Sequence, residues 1–187
     1  MTFFEPSKKF LDWLVKLAAG RPIIDCGCGD GHVTLALSDR GANVIGLDLY
    51  ARDEWSLERN ILLEMDANEF PFPRNAIVLF CRPCHGGWVE QVVRKAKQKA
   101  EVILYVGLEK NLEEDLGDYA FKFKAFGRRC GKDEEFAWSM KGVCNDLARW
   151  SLIHREYQEP YWAEDGGDRW INIAGGYCPK GSSRLQY

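Results

Sequence analysis

One segment near the N-terminus constrains the fold of this chain more than any other part. It reads IIDCGCGDGHVTLALSDRGANVIGLDLY, from Ile23 to Tyr50. A short apolar strand, Arg21 to Cys26, leads into a glycine-rich loop, and a helix with regularly spaced apolar residues follows. A second strand, Asn43 to Leu49, then carries Asp48 at its carboxyl end. This order predicts the strand, loop, helix and strand unit of a parallel α/β sheet.

The glycine loop has the features of a nucleotide-cofactor site. Gly27, Gly29 and Gly31 lack a Cβ atom, which allows a tight turn and lets a ligand approach the backbone closely. The helix N-terminus beside them offers free N–H donors to an anionic group. The carboxylate of Asp48 can accept two hydrogen bonds from a ribose diol. The segment therefore predicts a cofactor that contains a nucleoside.

The glycine spacing decides which cofactor is expected. A dinucleotide-binding loop has the pattern G-x-G-x-x-G, but in that register His32 stands where the third glycine should be. The pattern present is D-x-G-x-G-x-G, from Asp25 to Gly31. In this motif, and in the acidic Asp48 at the end of the next strand, the chain resembles the class I S-adenosylmethionine-dependent methyltransferases. The resemblance covers about residues 21 to 110.

The resemblance implies a Rossmann-like fold, S-adenosyl-L-methionine as the cofactor and S-adenosyl-L-homocysteine as the product. The implied fold is a doubly wound, mostly parallel α/β sheet of about seven strands, with helices on both faces and antiparallel C-terminal strands. The implied cofactor contacts are Asp25, Gly27, Gly29, Gly31, Asp48, Leu49, Asp66, Ala67 and Cys81. In this set Asp25 would order the loop, Asp48 would bind the ribose and Asp66 the adenine. The alternatives are solvated strand-end aspartates around a tight turn and, for Asp66, a turn aspartate.

The rest of the chain continues the alternation of strands and helices. The pattern predicts helices at Ser7–Ala19 and Gly87–Ala100, a short helix or loop at Ala51–Asn60, and strands at Ile61–Met65, Asn75–Cys81 and Glu101–Leu108. After these, the aromatic segments YAFKFKAF, EFAWSM, RWSLIHREY and RWINIAGGY read as strands, some of them antiparallel. Four segments exceed the two closing strands that the resemblance implies, so we expect an added hairpin.

Length and composition favour one folded domain, residues 1–187. The chain has 46% hydrophobic and 13% aromatic residues, which argues against disorder. A net charge of −3 gives no global basic surface, so composition neither names nor excludes an RNA substrate. We expect a cytoplasmic protein without a membrane partner, because no signal peptide or spanning segment is recognisable. The odd number of cysteines, seven, fits reduced thiols.

The loop CRPCHGGW, from Cys81 to Trp88, carries the candidate catalytic residues. It follows the fourth strand and should therefore face the cofactor at the carboxyl edge of the sheet. His85 is a candidate base, because an unperturbed histidine has a pKa of about 6.5. Arg82 is a candidate contact for an acidic substrate. Trp88 could stack or close the pocket. The structural alternatives are a helix cap for His85, a solvated cation for Arg82 and, for Trp88, a core position, which is favoured.

Cys84 supports a second interpretation of the same loop. Its proline-cysteine pair is similar to that of the cytosine-5 methyltransferases, in which a thiolate attacks the ring. Against this, Lys110 separates Glu109 from Asn111, and the chain has no room for a large target-recognition domain. The C-x-x-C-H spacing also matches a haem-attachment or metal-knuckle pattern, but no export signal and no second C-x-x-C pair accompany it, so no metal is predicted.

The acceptor stays open at this point. The motifs N-P-P-[YF] and D-P-P-[YFW], which would mark methylation of exocyclic amino groups, do not follow the fourth strand. The acceptor is then a small molecule, RNA or protein, and the oligomeric state is not determined. A non-catalytic adenosyl-binding module is the alternative function, and a dehydrogenase is a third choice.

Overall fold

The computed structural model describes residues 6–50, 61–84, 86–108, 114–115 and 117, and the backbone of strands at 134–141, 152–157, 161–162 and 169–177. In these ranges the helices are α1 (Lys8–Ala18), α2 (His32–Ser38) and α3 (Trp88–Ala96). The strands are β1 (Ile23–Cys26), β2 (Val44–Asp48), β3 (Leu62–Glu64), β4 (Ile77–Cys81), β5 (Val102–Leu108), β6 (Glu134–Lys141), β7 (Leu152–Tyr157), β8 (Tyr161–Trp162) and β9 (Arg169–Tyr177). The predicted segment 51–60 lies outside the described residues.

The first five strands form a parallel sheet in the order β3-β2-β1-β4-β5. The chain builds outward from β1 to β3, then returns to the other side of β1 for β4 and β5. The topological switch point therefore lies between β1 and β4, where a crevice opens beyond their carboxyl ends. The predicted mostly parallel α/β sheet with helices is confirmed.

Beyond β5 the described backbone adds further strands to the sheet. Strand β6 is antiparallel to β5, β9 is parallel to β6, and β7 and β8 are antiparallel to β9. Three of the four aromatic segments overlap these strands, and the fourth, YAFKFKAF, lies outside the described residues. The expected total of about seven strands and the antiparallel closure stay predictions, because residues 118–133 and 142–151 are not described.

The helices cover both faces of the parallel sheet. Buried residues of α1 and α2 pack against one set of strand side chains, Ile23, Ile77, Leu79 and Leu104 among them. Buried residues of α3 pack against the alternate set, which includes Ile24, Val78 and Phe80. Because successive strand residues point to opposite faces, these nearly continuous apolar strands fill two cores.

Local hydrogen bonds set the helix ends. The Ser7 hydroxyl accepts from Phe10 N at 3.0 Å and begins α1. Helix α3 ends at Ala96, earlier than predicted, because Lys99 N donates to Ala96 O at 2.9 Å and turns the chain toward β5. Among the described residues, no helix combines the length and the apolar character needed to cross a membrane.

Candidate cofactor and acceptor site

The glycine loop leaves β1 in a tight turn held against β2. Gly27 N and Cys28 N both donate to Leu47 O, at 2.8 and 3.1 Å. Gly27, Gly29 and Gly31 have φ values of +73°, +59° and +77°. These left-handed conformations are costly for residues with a Cβ atom, so the alternating glycines are a requirement of this backbone.

Asp48 fastens the loop to the end of β2. Its Oδ2 accepts from Gly29 N at 2.8 Å and its Oδ1 accepts from Tyr50 N at 2.9 Å. A carboxylate offers about four lone-pair sites, so about two of them are left for further donors. The side chain can hold the loop and still receive hydroxyl groups of a ligand.

Asp25 is buried beneath the same loop. Only 1% of its surface is exposed. Thr34 Oγ1 donates to its Oδ2 at 2.7 Å, whereas its Oδ1 is buried without a hydrogen-bond partner. Burial raises the pKa of this carboxyl to about 7, against the lowering effect of the Thr34 hydrogen bond and with a smaller upward contribution from the Asp48 charge. The alternative of a solvated strand-end aspartate is wrong for Asp25.

The two cysteines of the loop fill space. Burial, and then the charge of Asp25, raise the pKa of the Cys26 and Cys28 thiols well above the usual range. Cys28 Sγ would lie 2.8 Å from a Cβ atom placed on Gly46, which shows how closely the loop packs on β2. The four cysteines in the described ranges form no disulfide bond, and those ranges hold no group of three metal-ligating side chains.

A pocket of about 600 Å³ lies beyond the carboxyl ends of β1, β2 and β4. This volume is within the range of about 300–1,000 Å³ found for small-molecule sites. Its wall contains these predicted residues: Asp25, Gly27, Gly29, Asp48, Leu49, Asp66, Ala67, Cys81, Arg82 and Cys84. Gly31 is not part of the wall and packs against Leu62, so its contact with a cofactor stays a prediction. His85 lies outside the described residues.

The sequence did not mark every residue of the wall. Further lining residues are Cys28, Asp30, His32, Val33, Leu47, Tyr50, Met65 and Asn68. Most of them adjoin a predicted site residue in the chain. Whether a residue lines the pocket depends on the side of the strand end on which it lies. That side can be read from the sequence only when the strand order is known.

Trp88 is both a core and a pocket residue, the two positions that the sequence left open for it. Its ring stands edge-on to Phe80 with centroids 6.0 Å apart. Its Nε1 donates to Cys84 O at 2.9 Å, and its Cη2 would lie 2.9 Å from a Cβ atom at position 27. The indole therefore joins the glycine loop to the loop after β4.

The turn interpretation of Asp66 is confirmed. It follows β3 in a turn, where its Oδ1 accepts from Asn68 N at 2.8 Å, and it also lines the pocket. Lys95 Nζ of α3 donates to Asn68 O and anchors this turn from outside. This turn places Asp66 on the pocket wall, and its contact with the adenine stays a prediction.

Two candidates lie on the β4 side of the pocket. Cys84 is exposed, and Arg82 is half-buried with a φ of +50°. Arg82 N donates to Val106 O at 2.7 Å, which holds this unusual backbone conformation next to β5.

The fold and the pocket are those of a Rossmann-like domain with a candidate site for a nucleoside-containing cofactor. A glycine loop follows β1, an acidic residue ends β2, and both face the switch point. Residues 24–103 match the family model described as a methyltransferase domain. The matched segment, which contains the glycine loop and Asp48, is therefore similar to methyltransferase domains.

Solved structures share this fold at low sequence identity. Protein 1320 of Thermoplasma acidophilum aligns over 92% of this chain and 88% of its own, with a TM-score of 0.53 and 14% identity. PH1948 of Pyrococcus horikoshii aligns over 90% and 81%, with a TM-score of 0.51 and 15% identity. TehB of Haemophilus influenzae aligns over 95% of this chain but 63% of its own, with a TM-score of 0.51 and 14% identity. No curated protein sequence matches significantly.

Proposed function

We propose that this protein transfers the methyl group of S-adenosylmethionine to an acceptor in the pocket at the switch point. One observation carries the proposal: the D-x-G-x-G-x-G loop and Asp48 are joined by a hydrogen bond and line the same pocket. Neither feature alone selects this cofactor. Their direct contact supports a site in which the ribose binds Asp48 and the rest of the cofactor lies against the backbone of the glycine loop.

The residues present fit the cofactor in three respects. The left-handed glycines leave open space at Gly29, where a Cβ atom would meet nothing within 4 Å. Asp48 has lone pairs left for a ribose diol. Asp25 carries a buried oxygen without a partner close to the loop, which suits the field of a cationic ligand. Leu49, Ala67 and Asp66 would then contact the adenine.

The chain's own contribution to the transfer is positioning. When bound, S-adenosylmethionine supplies an electrophilic methyl group. The loop after β4 would hold the acceptor so that its nucleophile approaches the methyl group in line. Arg82, Cys84 and His85 stay the candidates on that side. The minority alternative is that Cys84 acts as a nucleophile, as in cytosine-5 methylation. That the protein is cytoplasmic and has a single domain stays a prediction.

The first experiment separates binding from turnover. Isothermal titration should show that S-adenosylmethionine and S-adenosylhomocysteine bind and that NAD does not. Incubation with methyl-labelled cofactor and fractionated small molecules, RNA and protein should then label one fraction. Binding without labelled product would favour the non-catalytic adenosyl-binding module, whereas binding of NAD instead would favour the dehydrogenase.

A matched pair of variants tests the role of Asp48. We expect Asp48→Asn to weaken cofactor binding by about tenfold or more, because hydrogen bonds to a charged group contribute about 1.5–3 kcal/mol. Asp39→Asn removes the same charge from an exposed residue outside the pocket wall and should leave the affinity unchanged. Equal affinities of the two variants, with circular dichroism showing both folded, would contradict the ribose assignment.

A further inference from the structure

The charges around the pocket are divided between its two sides. The described acidic residues of the wall are Asp25, Asp30, Asp48 and Asp66, which lie in or after β1, β2 and β3. Arg82 follows β4 on the other side and is the only lysine or arginine among the described wall residues. The pocket therefore has an acidic half that suits the positive groups of the cofactor, and a cationic position opposite.

The backbone holds Arg82 at this position at a cost. Its φ of +50° is in the left-handed region, where a residue with a Cβ atom is disfavoured by about 1–2 kcal/mol. The bond from its N–H to Val106 O maintains the conformation. Glycine would adopt it without strain, yet the chain carries a long cationic side chain here, half-buried and on the pocket wall. Strained residues of this kind cluster at ligand sites.

We propose that Arg82 binds an anionic group, a carboxylate or phosphate, of a small methyl acceptor on the β4 side of the pocket. This inference rests on the proposed function. The planar guanidinium group pairs with both oxygens of such a group, which orients the acceptor as well as attracting it. The pocket of about 600 Å³ also has to hold the cofactor, so the space left on the β4 side suits a small acceptor.

The test uses small anions on the protein saturated with S-adenosylhomocysteine. Benzoate, acetate and inorganic phosphate are titrated at constant ionic strength, with benzamide as the uncharged match to benzoate, and the thermal midpoint is recorded. We expect benzoate or phosphate to raise the midpoint in a saturable manner and benzamide to have no effect. If none of the three anions raises it, or if benzamide acts equally, the inference is wrong.

Variants assign the effect to one side chain. Arg82→Gln should weaken anion binding by about tenfold or more, because a charge-assisted bidentate contact is lost. Arg82→Lys should retain part of it. Arg74→Gln removes an exposed arginine that is not part of the described wall and should behave as the unmodified protein. If the anions raise the thermal midpoint of Arg82→Gln as much as that of the unmodified protein, the assignment is wrong. If this variant fails to fold, the comparison of the anions with benzamide on the unmodified protein still tests the inference.

The cofactor's own carboxylate is the competing partner of Arg82. Affinities for S-adenosylhomocysteine and for 5′-methylthioadenosine, which lacks the amino acid carboxylate, distinguish the two. If Arg82→Gln weakens only the former by about tenfold, Arg82 holds the cofactor and the inference is wrong. If the unmodified protein does not bind S-adenosylhomocysteine at all, the proposed function itself fails, and this is seen before any anion is added.

Discussion

Replacing Asp25 by asparagine should stabilise the ligand-free protein at alkaline pH. The residue is 1% exposed, and burial raises its pKa from 3.8 to about 7, while the Thr34 hydrogen bond opposes the rise. Asparagine has the same shape and can still accept the Thr34 hydroxyl proton. It never ionises, so it avoids the cost of burying a charge.

The size and sign follow from proton linkage. Between pH 3.8 and about 7 the folded protein holds a proton that the unfolded chain has released, so the free energy of unfolding falls as pH rises through this window and then levels off. At about 1.4 kcal/mol per pH unit the total loss is at most about 4 kcal/mol. Asp25→Asn should therefore exceed the stability of the unmodified protein by about 1–2 kcal/mol at pH 5 and by up to about 4 kcal/mol at pH 8.

Urea unfolding of both proteins at pH 5, 6, 7 and 8 measures this difference. Thr34→Val is the companion variant, because it removes the hydroxyl that stabilises the carboxylate. We expect Thr34→Val to lose more stability at pH 8 than at pH 5, opposite to Asp25→Asn. A stability difference for Asp25→Asn that is the same at every pH would refute the reasoning, since it would mean that Asp25 does not titrate in this range.

The same substitution should act on the cofactor in the opposite direction. If the negative charge of Asp25 favours a cationic ligand, Asp25→Asn should bind S-adenosylmethionine about tenfold more weakly at pH 8. In the unmodified protein the affinity should rise with pH up to about 7, as the carboxyl ionises. Titration calorimetry at the same pH values checks both. An affinity that the substitution leaves unchanged would limit Asp25 to a structural role.

Two further predictions concern packing around the pocket. Gly27 and Gly20 both have a positive φ, but only at position 27 would a Cβ atom lie 2.9 Å from Trp88. Chemical unfolding should therefore show Gly27→Ala to be less stable than Gly20→Ala by about 1–3 kcal/mol. Equal losses of stability in the two variants would show that the Trp88 ring moves aside. Lys95→Met removes the hydrogen bond to Asn68 O, which anchors the turn that carries Asp66. We expect cofactor binding to weaken about fivefold with little change in thermal stability. A change in thermal stability without a change in affinity would show that this hydrogen bond is purely structural.

The order of the elements in the parallel part was predictable because it depends on local patterns. Continuous apolar runs predicted β4 and β5, and helical spacing predicted α1 and α3. The largest error in α3 is at its carboxyl end, where the lysine-rich residues 97–99 keep the helical pattern but form a turn. Turns of this kind depend on where the next strand has to begin, which the pattern does not contain.

The residues of the pocket were only partly predictable. Asp48 and the glycines could be read because their spacing along the chain reflects the turn they form. For Trp88 the sequence offered a core and a pocket position without deciding between them, because its contact with Gly27 joins positions that are far apart in the chain. The burial of Asp25 likewise depends on Thr34 and on the packing of β1 between β2 and β4.

The sequence by itself determined the glycine loop, the acid at the end of β2 and the alternation of strands and helices, because backbone conformation and hydrophobic periodicity are properties of neighbouring residues. Only the tertiary structure decided that β4 lies beside β1 and thereby brings Arg82, Cys84 and Trp88 to the loop. It also decided that Asp25 is buried with a pKa of about 7. Charge, burial and pocket shape arise from contacts between distant segments, and those contacts exist only once the sheet has formed.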